Sequence, residues 1–263
     1  MLLPVTTLLA RSRRAKRLAP YIQVSTLEVL EGALLAARQE KRDVIIELNL
    51  EKATLDHVVF VATATSLCAS HPSAVGLVLA VRAHASEIEM VLRLGVPSIR
   101  PVFPKDTSLP ERTEFIAWFT SQASQYGIEV GASFSRVMGG DEVRHLCDSS
   151  SASFVVMPVR EEQRSRRTLV PAALKDLGRG ATVPVVADEE MLTSLHLTSL
   201  RKAGICGLFL GETLEKSYTA GVRAGLRDRM VTDPSSYQRK GMLPSRTPLS
   251  ITYKPLNRTV CLT

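Results

Sequence analysis

The sequence holds few of the groups that do chemistry. Four cysteines, Cys68, Cys147, Cys206 and Cys261, are spread over 263 residues without a CxxC pair. That spacing argues against a disulfide framework and against a cysteine-rich structural zinc site, and it suits a reducing compartment. Cys206, beside an apolar run, reads as a small core residue. No apolar run approaches the roughly 18–20 residues that cross a bilayer as a helix, so the 45% hydrophobic content is expected to belong to a soluble domain. There is no GxGxxG, no Walker-type phosphate loop and no GxSxG elbow, which removes the usual signs of dinucleotide, nucleotide-triphosphate and serine-hydrolase chemistry. Aromatic residues make up only 5%, and none interleaves with the basic clusters as a base-stacking platform would.

Acidic residues are missing from both ends. Residues 1–27 carry Arg11, Arg13, Arg14, Lys16 and Arg17 with no carboxylate, and residues 235–263 carry Arg239, Lys240, Arg246, Lys254 and Arg258 with none. Of the net charge of +7, the stretch between them therefore holds −3. Basic ends around a slightly acidic body are either solvated or reach for acidic or phosphate-rich partners. The first 20 residues, MLLPVTTLLARSRRAKRLAP, are rich in Leu and Arg, with no acid before Glu28. Organellar transit peptides share this composition, so the expected location is the matrix side of the mitochondrion. The other reading is an amphipathic helix covering the bottom of the domain, and both can hold together.

What is abundant is repetition. Runs rich in Val, Ile, Leu and Phe recur at Tyr21–Val24, Asp43–Glu47, Val75–Val81, Ser98–Phe103, Ile128–Phe134, Ser153–Val159, Val183–Ala187 and Gly207–Leu210. Helix-like stretches alternate with them at Leu27–Gln39, Ala53–Ala69, Ala85–Leu94, Pro110–Gln125, Gly140–Cys147, Val170–Leu177, Glu189–Ala203 and Thr213–Arg227. Strands alternating with helices give βαβ units and a parallel sheet, and eight units in about 210 residues fit a (β/α)8 TIM barrel. Ser25-Thr-Leu-Glu28 has the form of a capping box. Gly95, Gly127 and Gly204 sit where helices hand over to strands. The expected domains are an α/β barrel over 1–234, opened by the basic helix of residues 1–20, and an extended C-terminal arm over 235–263, where Pro244, Pro248 and Pro255 break any periodicity.

Several segments together resemble class II, zinc-dependent fructose-bisphosphate aldolases. Leu27-Glu-Val-Leu-Glu-Gly-Ala-Leu-Leu-Ala-Ala through Val44-Ile-Ile46 is similar to that family's first helix and second strand. Leu92-Arg-Leu-Gly-Val-Pro-Ser-Ile99 is similar to its "I-R-A-G-F-T-S-V". Gly127-Ile-Glu-Val130 with Gly139-Gly-Asp-Glu142, Val183-Pro-Val-Val186, Ala203-Gly-Ile-Cys206 and Asp233-Pro-Ser-Ser-Tyr237 follow in the family's order. The likeness spans residues 3–238 and implies the barrel fold.

The same resemblance implies a chemistry whose residues are not here. Such an aldolase polarises a carbonyl with Zn2+ held by histidines, moves a proton with a carboxylic acid and cradles two phosphates. Ala80 stands where the family has its catalytic Asp, and Val81 where it has a zinc His. Gly131-Ala-Ser133 replaces a strand end bearing two Glu. The next ligand position falls near Glu162, in Arg160-Glu-Glu-Gln163. Asp188 replaces another His, Glu189 and Glu190 occupy the phosphate loop, and Phe209 replaces a substrate-binding Asn. The five histidines, His57, His71, His84, His145 and His196, are scattered; His84 alone is within a short slip of a ligand position. Glu161, Glu162, Asp188, Glu189 and Glu190 at the barrel mouth read as a solvated acidic rim rather than a cation site, and Arg164-Ser-Arg-Arg167 as a basic loop.

The expectation is therefore a pseudoenzyme with no catalytic, cofactor or metal residues, no cofactor and no small-molecule substrate. Its expected role is that of a structural subunit of a large mitochondrial assembly, most readily a respiratory-chain complex, joined to protein neighbours through both basic ends. A mitochondrial-ribosome protein, with nucleic acid as the lesser partner, and a sugar-phosphate lyase with a rebuilt site are the alternatives.

Overall fold

A parallel strand buried on both faces must be apolar throughout, and the eight apolar runs do become strands of that kind. The computed structural model describes residues 1–227, apart from Thr54, Lys105 and residues 164–165, 170–176, 178–180, 189–193 and 212. In chain order the elements are α1 (Val5–Arg14), β1 (Ala19–Val24), α2 (Leu27–Gln39), β2 (Val44–Asn49), α3 (His57–Ser70), β3 (Val75–Arg82), α4 (Ala85–Arg93) and β4 (Ser98–Val102). Then come α5 (Leu109–Ser124), β5 (Glu129–Ser133), α6 (Gly140–Ser150), β6 (Phe154–Pro158), β7 (Arg160–Gln163), β8 (Arg166–Leu169), β9 (Val185–Asp188), α7 (Ser194–Lys202), β10 (Gly207–Phe209) and α8 (Thr213–Arg227). Eight strands close into one parallel barrel in the order β1-β10-β9-β6-β5-β4-β3-β2, with β2 returning to β1. The architecture is a (β/α)8 TIM barrel.

Local signals act with small shifts from expectation. The box expected at Ser25 is replaced by a simple cap one residue on: Thr26 is the N-cap of α2, its hydroxyl accepting from the Val29 N–H. The reciprocal box belongs to α5, where Ser108 and Glu111 each cover the other's backbone N–H, satisfying two otherwise orphaned donors. The third helix does not begin at Ala53. A single 3-10 turn over Leu50–Lys52 intervenes, and α3 starts at an Asp56 cap whose carboxylate accepts from Val58 and Val59 at 3.0 and 3.2 Å. Gly95, Gly127 and Gly204 have φ of +69°, +66° and +79°, the left-handed region that a helix stop uses. The expected helix Val170–Leu177 lies outside the described residues except for buried Leu177, as does the expected arm over 235–263. Of the segment expected as a basic loop, Arg166 and Arg167 lie on β8, paired antiparallel across from Gln163 and Glu162 of β7.

Side chains alternate across each strand, which divides the core in two. Ile22, Ile46, Leu77, Ile99, Val130 and Val155 face outward to the helices and make the larger core. Tyr21, Ile45, Val78, Phe154, Val186 and Phe209 fill the barrel interior.

The interior is closed at the strand N-termini by α1. Val5, Leu8 and Leu9, each no more than 1% exposed, belong to the interior cluster. Glycine makes room for them: a Cβ on Gly76 would stand 2.9 Å from Leu8 Cδ1, and one on Gly207 3.0 Å from Leu9 Cδ2. The helix lacks its own N-terminal cap and first-turn acid. Glu129, at the start of β5, supplies both, accepting from the Thr6 N–H at 3.2 Å and from the Thr6 hydroxyl. A carboxylate at a helix N-terminus meets both the orphaned N–H groups and the positive end of the dipole. Ahead of the helix, Leu2 bridges Val75, and the Met1 amine donates to the His71 carbonyl at 2.9 Å. The amphipathic N-terminus thus works as the barrel's floor.

Leu8→Ala should cost about 2–5 kcal/mol, as buried Leu→Ala changes do, in urea denaturation of the full chain. A loss below about 1 kcal/mol would show that α1 is an appendage.

Candidate functional site at the barrel mouth

In a barrel of parallel strands, chemistry collects where the strands end. Moving up from the floor, the interior side chains are Ala19, Tyr21 and Gln23 on β1, Ile45 and Glu47 on β2, Val78 and Ala80 on β3, and Ser98 and Arg100 on β4. Register brings them level, with Gln23 beside Glu47 and Ala80 beside Arg100. Glu47 is 0% and Arg100 7% exposed, two opposite charges inside a barrel.

They meet as a bidentate pair. Arg100 Nε donates to Glu47 Oε2 at 2.6 Å, and its terminal nitrogen donates to Oε1 at 2.6 Å. The Tyr21 hydroxyl adds a bond to Oε2 at 2.7 Å, and the Gln23 amide one to Oε1 at 2.8 Å. A carboxylate has about four lone-pair positions, and all four are taken. The guanidinium carbon also lies 5.4 Å from the centre of the Phe209 ring, within cation–π range, while Tyr21 meets Phe209 edge-on at 5.1 Å.

These contacts fix the charge states. Burial raises the Glu47 pKa, but the charge of Arg100 and the bonds from Arg100, Tyr21 and Gln23 outweigh it and hold the carboxyl below its ordinary value. Burial works to lower the Arg100 pKa, and Glu47 more than reverses that, with Asp188 contributing. The Tyr21 hydroxyl is pushed well up, by burial first and then by the Glu47 charge. The cluster is an ionised, neutral-sum plug one layer below the mouth. A carboxylate held ionised with every lone pair bonded cannot act as a proton shuttle or open a position to a metal.

The positions singled out by sequence surround this plug. Ala80 is 3% exposed and faces the interior; Val81, at 4%, belongs to the outer core. Ser133 donates to the Pro101 carbonyl at 3.1 Å. Phe209 lies under Arg100. Asp188 ends β9 and is exposed. Glu161 and Glu162 lie on β7, and Glu189 and Glu190 lie outside the described residues. Methyl and isopropyl side chains stand at two of the positions where the resemblance implies a base and a ligand, so these residues do not fit a zinc ion. Among the described residues, no three His, Cys, Asp or Glu side chains come together as a metal-ready group. His57 and His145 are exposed on outer helices, His196 is half-buried on α7, His84 is exposed just past β3, and His71 bonds the Leu34 carbonyl at 2.9 Å. Burial pushes the Cys68 and Cys147 thiols up to about 12 and raises that of Cys206, which is 1% exposed. Thiols this far from ionisation are packing groups, not nucleophiles. A cavity of about 460 Å³ lies away from the mouth, between α5 and α6, lined by Leu109, Thr113, Glu114, Ala117, His145 and Ser149.

Tyr21, Glu47 and Arg100 are the residues that sequence reasoning missed. The signal was a lone acid in Val-Ile-Ile-Glu-Leu and a lone base in Ser-Ile-Arg-Pro-Val, each inside an apolar strand, where an unpaired charge is prohibitively costly.

No protein-family profile matches the sequence, and no curated protein matches it. Solved structures do. The YdjI aldolase of Escherichia coli K12 superposes with a TM-score of 0.82 at 14% identity, over 95% of each chain. The fructose-bisphosphate aldolase of Campylobacter jejuni gives 0.78 at 12% identity, over 96% of this chain and 94% of its own. The chain therefore has the barrel fold of these aldolases over nearly its whole length.

That finding corrects the expected role. What the chain shares, over nearly its whole length, is the fold of these aldolases, and nothing in that likeness supports a role as a structural subunit of a respiratory or ribosomal assembly. The expectation also rested on two free basic arms, and one of them is the floor of the barrel. The structural-subunit reading is dropped.

Removing one member of the plug strands the other charge in the interior, which costs about 3–5 kcal/mol. Arg100→Met should lose that much in chemical denaturation, while Glu47→Leu combined with Arg100→Met should recover most of it. Equal losses in the single and double variants would show that the pair is not coupled.

Proposed function

We propose that this chain is a catalytically silent barrel of the aldolase fold. The observation that carries the reading is the saturation of Glu47: the carboxylate one layer below the mouth spends all four lone pairs on Arg100, Tyr21 and Gln23. Catalysis by a general base needs a lone pair within reach of a substrate proton, and metal catalysis needs ligands that leave an open position. The plug offers neither. Ala80 and Val81 supply no donor, and Phe209 turns an aromatic face to Arg100 in place of a polar group. A ligand drawn to Arg100 would have to break a bidentate bond at 2.6 Å in a low-dielectric interior, where that bond is strongest.

The reading is tested by incubating the full chain with fructose 1,6-bisphosphate and Zn2+, while following triose phosphate release and thermal unfolding. The expected result is no cleavage above the protein-free rate and no rise in the unfolding midpoint with millimolar metal or sugar phosphate. Metal-dependent cleavage, or stabilisation of the size that micromolar binding gives at such concentrations, about 3–4 kcal/mol, would overturn it in favour of a rebuilt lyase site.

A further inference from the structure

We infer that the floor of the barrel, at the end opposite the mouth, binds the phosphate backbone of nucleic acid without reading its bases. The inference goes beyond the reading of the mouth and does not depend on it, since the two faces share no residue.

Folding gathers cations that are far apart in sequence. Arg11, Arg13, Arg14, Lys16 and Arg17 are all exposed, and α1 is locked in place by Val5, Leu8 and Leu9, so they form a rigid array rather than a loose tail. The strand order sets β10, β1 and β2 side by side, and the segments feeding their lower ends add more charge. Arg201 and Lys202 close α7 ahead of β10, Arg38 and Lys41 lie at the end of α2 ahead of β2, and Arg223 is exposed near the end of α8. Arg13 shares a crevice with Ala203, Gly204 and Ile205, which fixes α1 next to the end of α7. Among the described residues, the acids interspersed in this sector are Glu40 and Asp43. The C-termini of α1, α2 and α7 contribute about half a negative charge each, far less than these cations supply.

The chemistry of the array selects the partner. Most of the cations are arginines, whose planar fork matches phosphate oxygens two at a time. Segments 1–17, 38–43 and 199–206 contain no Phe, Tyr or Trp, so these segments offer no ring on which to stack a base. Binding then runs through the backbone and is governed by counterion release. A membrane surface fits less well, because the apolar side of α1 is spent inside the barrel and cannot enter the headgroup layer as an interfacial helix does.

The test uses the full chain and two fluorescein-labelled 20-base-pair RNA duplexes of different sequence, with polyglutamate and phosphatidylserine vesicles as competing polyanions. Both duplexes should bind alike, with dissociation constants of about 1–100 µM at physiological salt and a steep linear dependence of log K on log salt. Arg11→Gln with Arg14→Gln and Arg17→Gln should weaken binding about tenfold or more and flatten the salt slope by about 3. Arg144→Gln, on the far side of the barrel, should change neither. Should the triple variant fold poorly, Lys16→Gln with Arg17→Gln, beyond the end of the helix, should flatten the slope by about 2. An unchanged slope in these variants would overturn the inference, placing any binding elsewhere on the chain. Absence of duplex binding, or equal or tighter binding of polyglutamate or vesicles, would overturn it too.

Discussion

A charged carboxylate inside a closed barrel has no access to bulk water, so its solvation must come from the protein. Glu47 meets that demand with one guanidinium, one phenol and one amide drawn from β4 and β1. Once this shell is built, much else is constrained. Gln23 and Tyr21 must face inward, which sets the register of β1 against β2. Phe209 lies under the guanidinium, and Ala80 stands level with it on the neighbouring strand. A pair of this kind adds little stability over a well-packed apolar filling, yet it is costly to half-remove. Its effect is to define one arrangement of the interior and to occupy the place where a barrel enzyme keeps its reacting groups.

The two ends of the barrel are finished in different ways. The mouth is stopped by a neutral ion pair whose bonds are all internal. The floor is stopped by α1, which gives the barrel its apolar side and leaves its cations outside. Glu129 ties that helix down by reaching from β5 to its N-terminus. One helix therefore completes the core and presents the basic face.

Much of the architecture was legible in the sequence because buried parallel strands advertise themselves as apolar runs. All eight lie within two residues or so of their expected positions, and α2 and α8 match their expected limits. The finer features were hidden for physical reasons. In a strand apolar on both faces, period-two alternation carries no label, so nothing said that Glu47 points inward rather than out. Ser25 and Thr26 are both able caps, and only the backbone turn decides between them. Arg166 and Arg167 read as part of a basic loop, although their backbone pairs antiparallel with that of Gln163 and Glu162. The N-terminus could be read as an arm because its apolar residues have a partner only once the barrel floor exists.

The account turns on Glu47 being ionised and enclosed. The most direct measurement is the 13C resonance of its side-chain carboxyl, followed by NMR from neutral pH downward and assigned with Glu47→Gln. The account predicts no titration through the ordinary glutamate range near 4.3, with protonation only at lower pH. The stability that Glu47 contributes is then fully present above that range and is lost as pH falls through the depressed value. A carboxyl that titrates at or above the ordinary value would contradict the account, because it would leave at the mouth a group able to take up and release a proton.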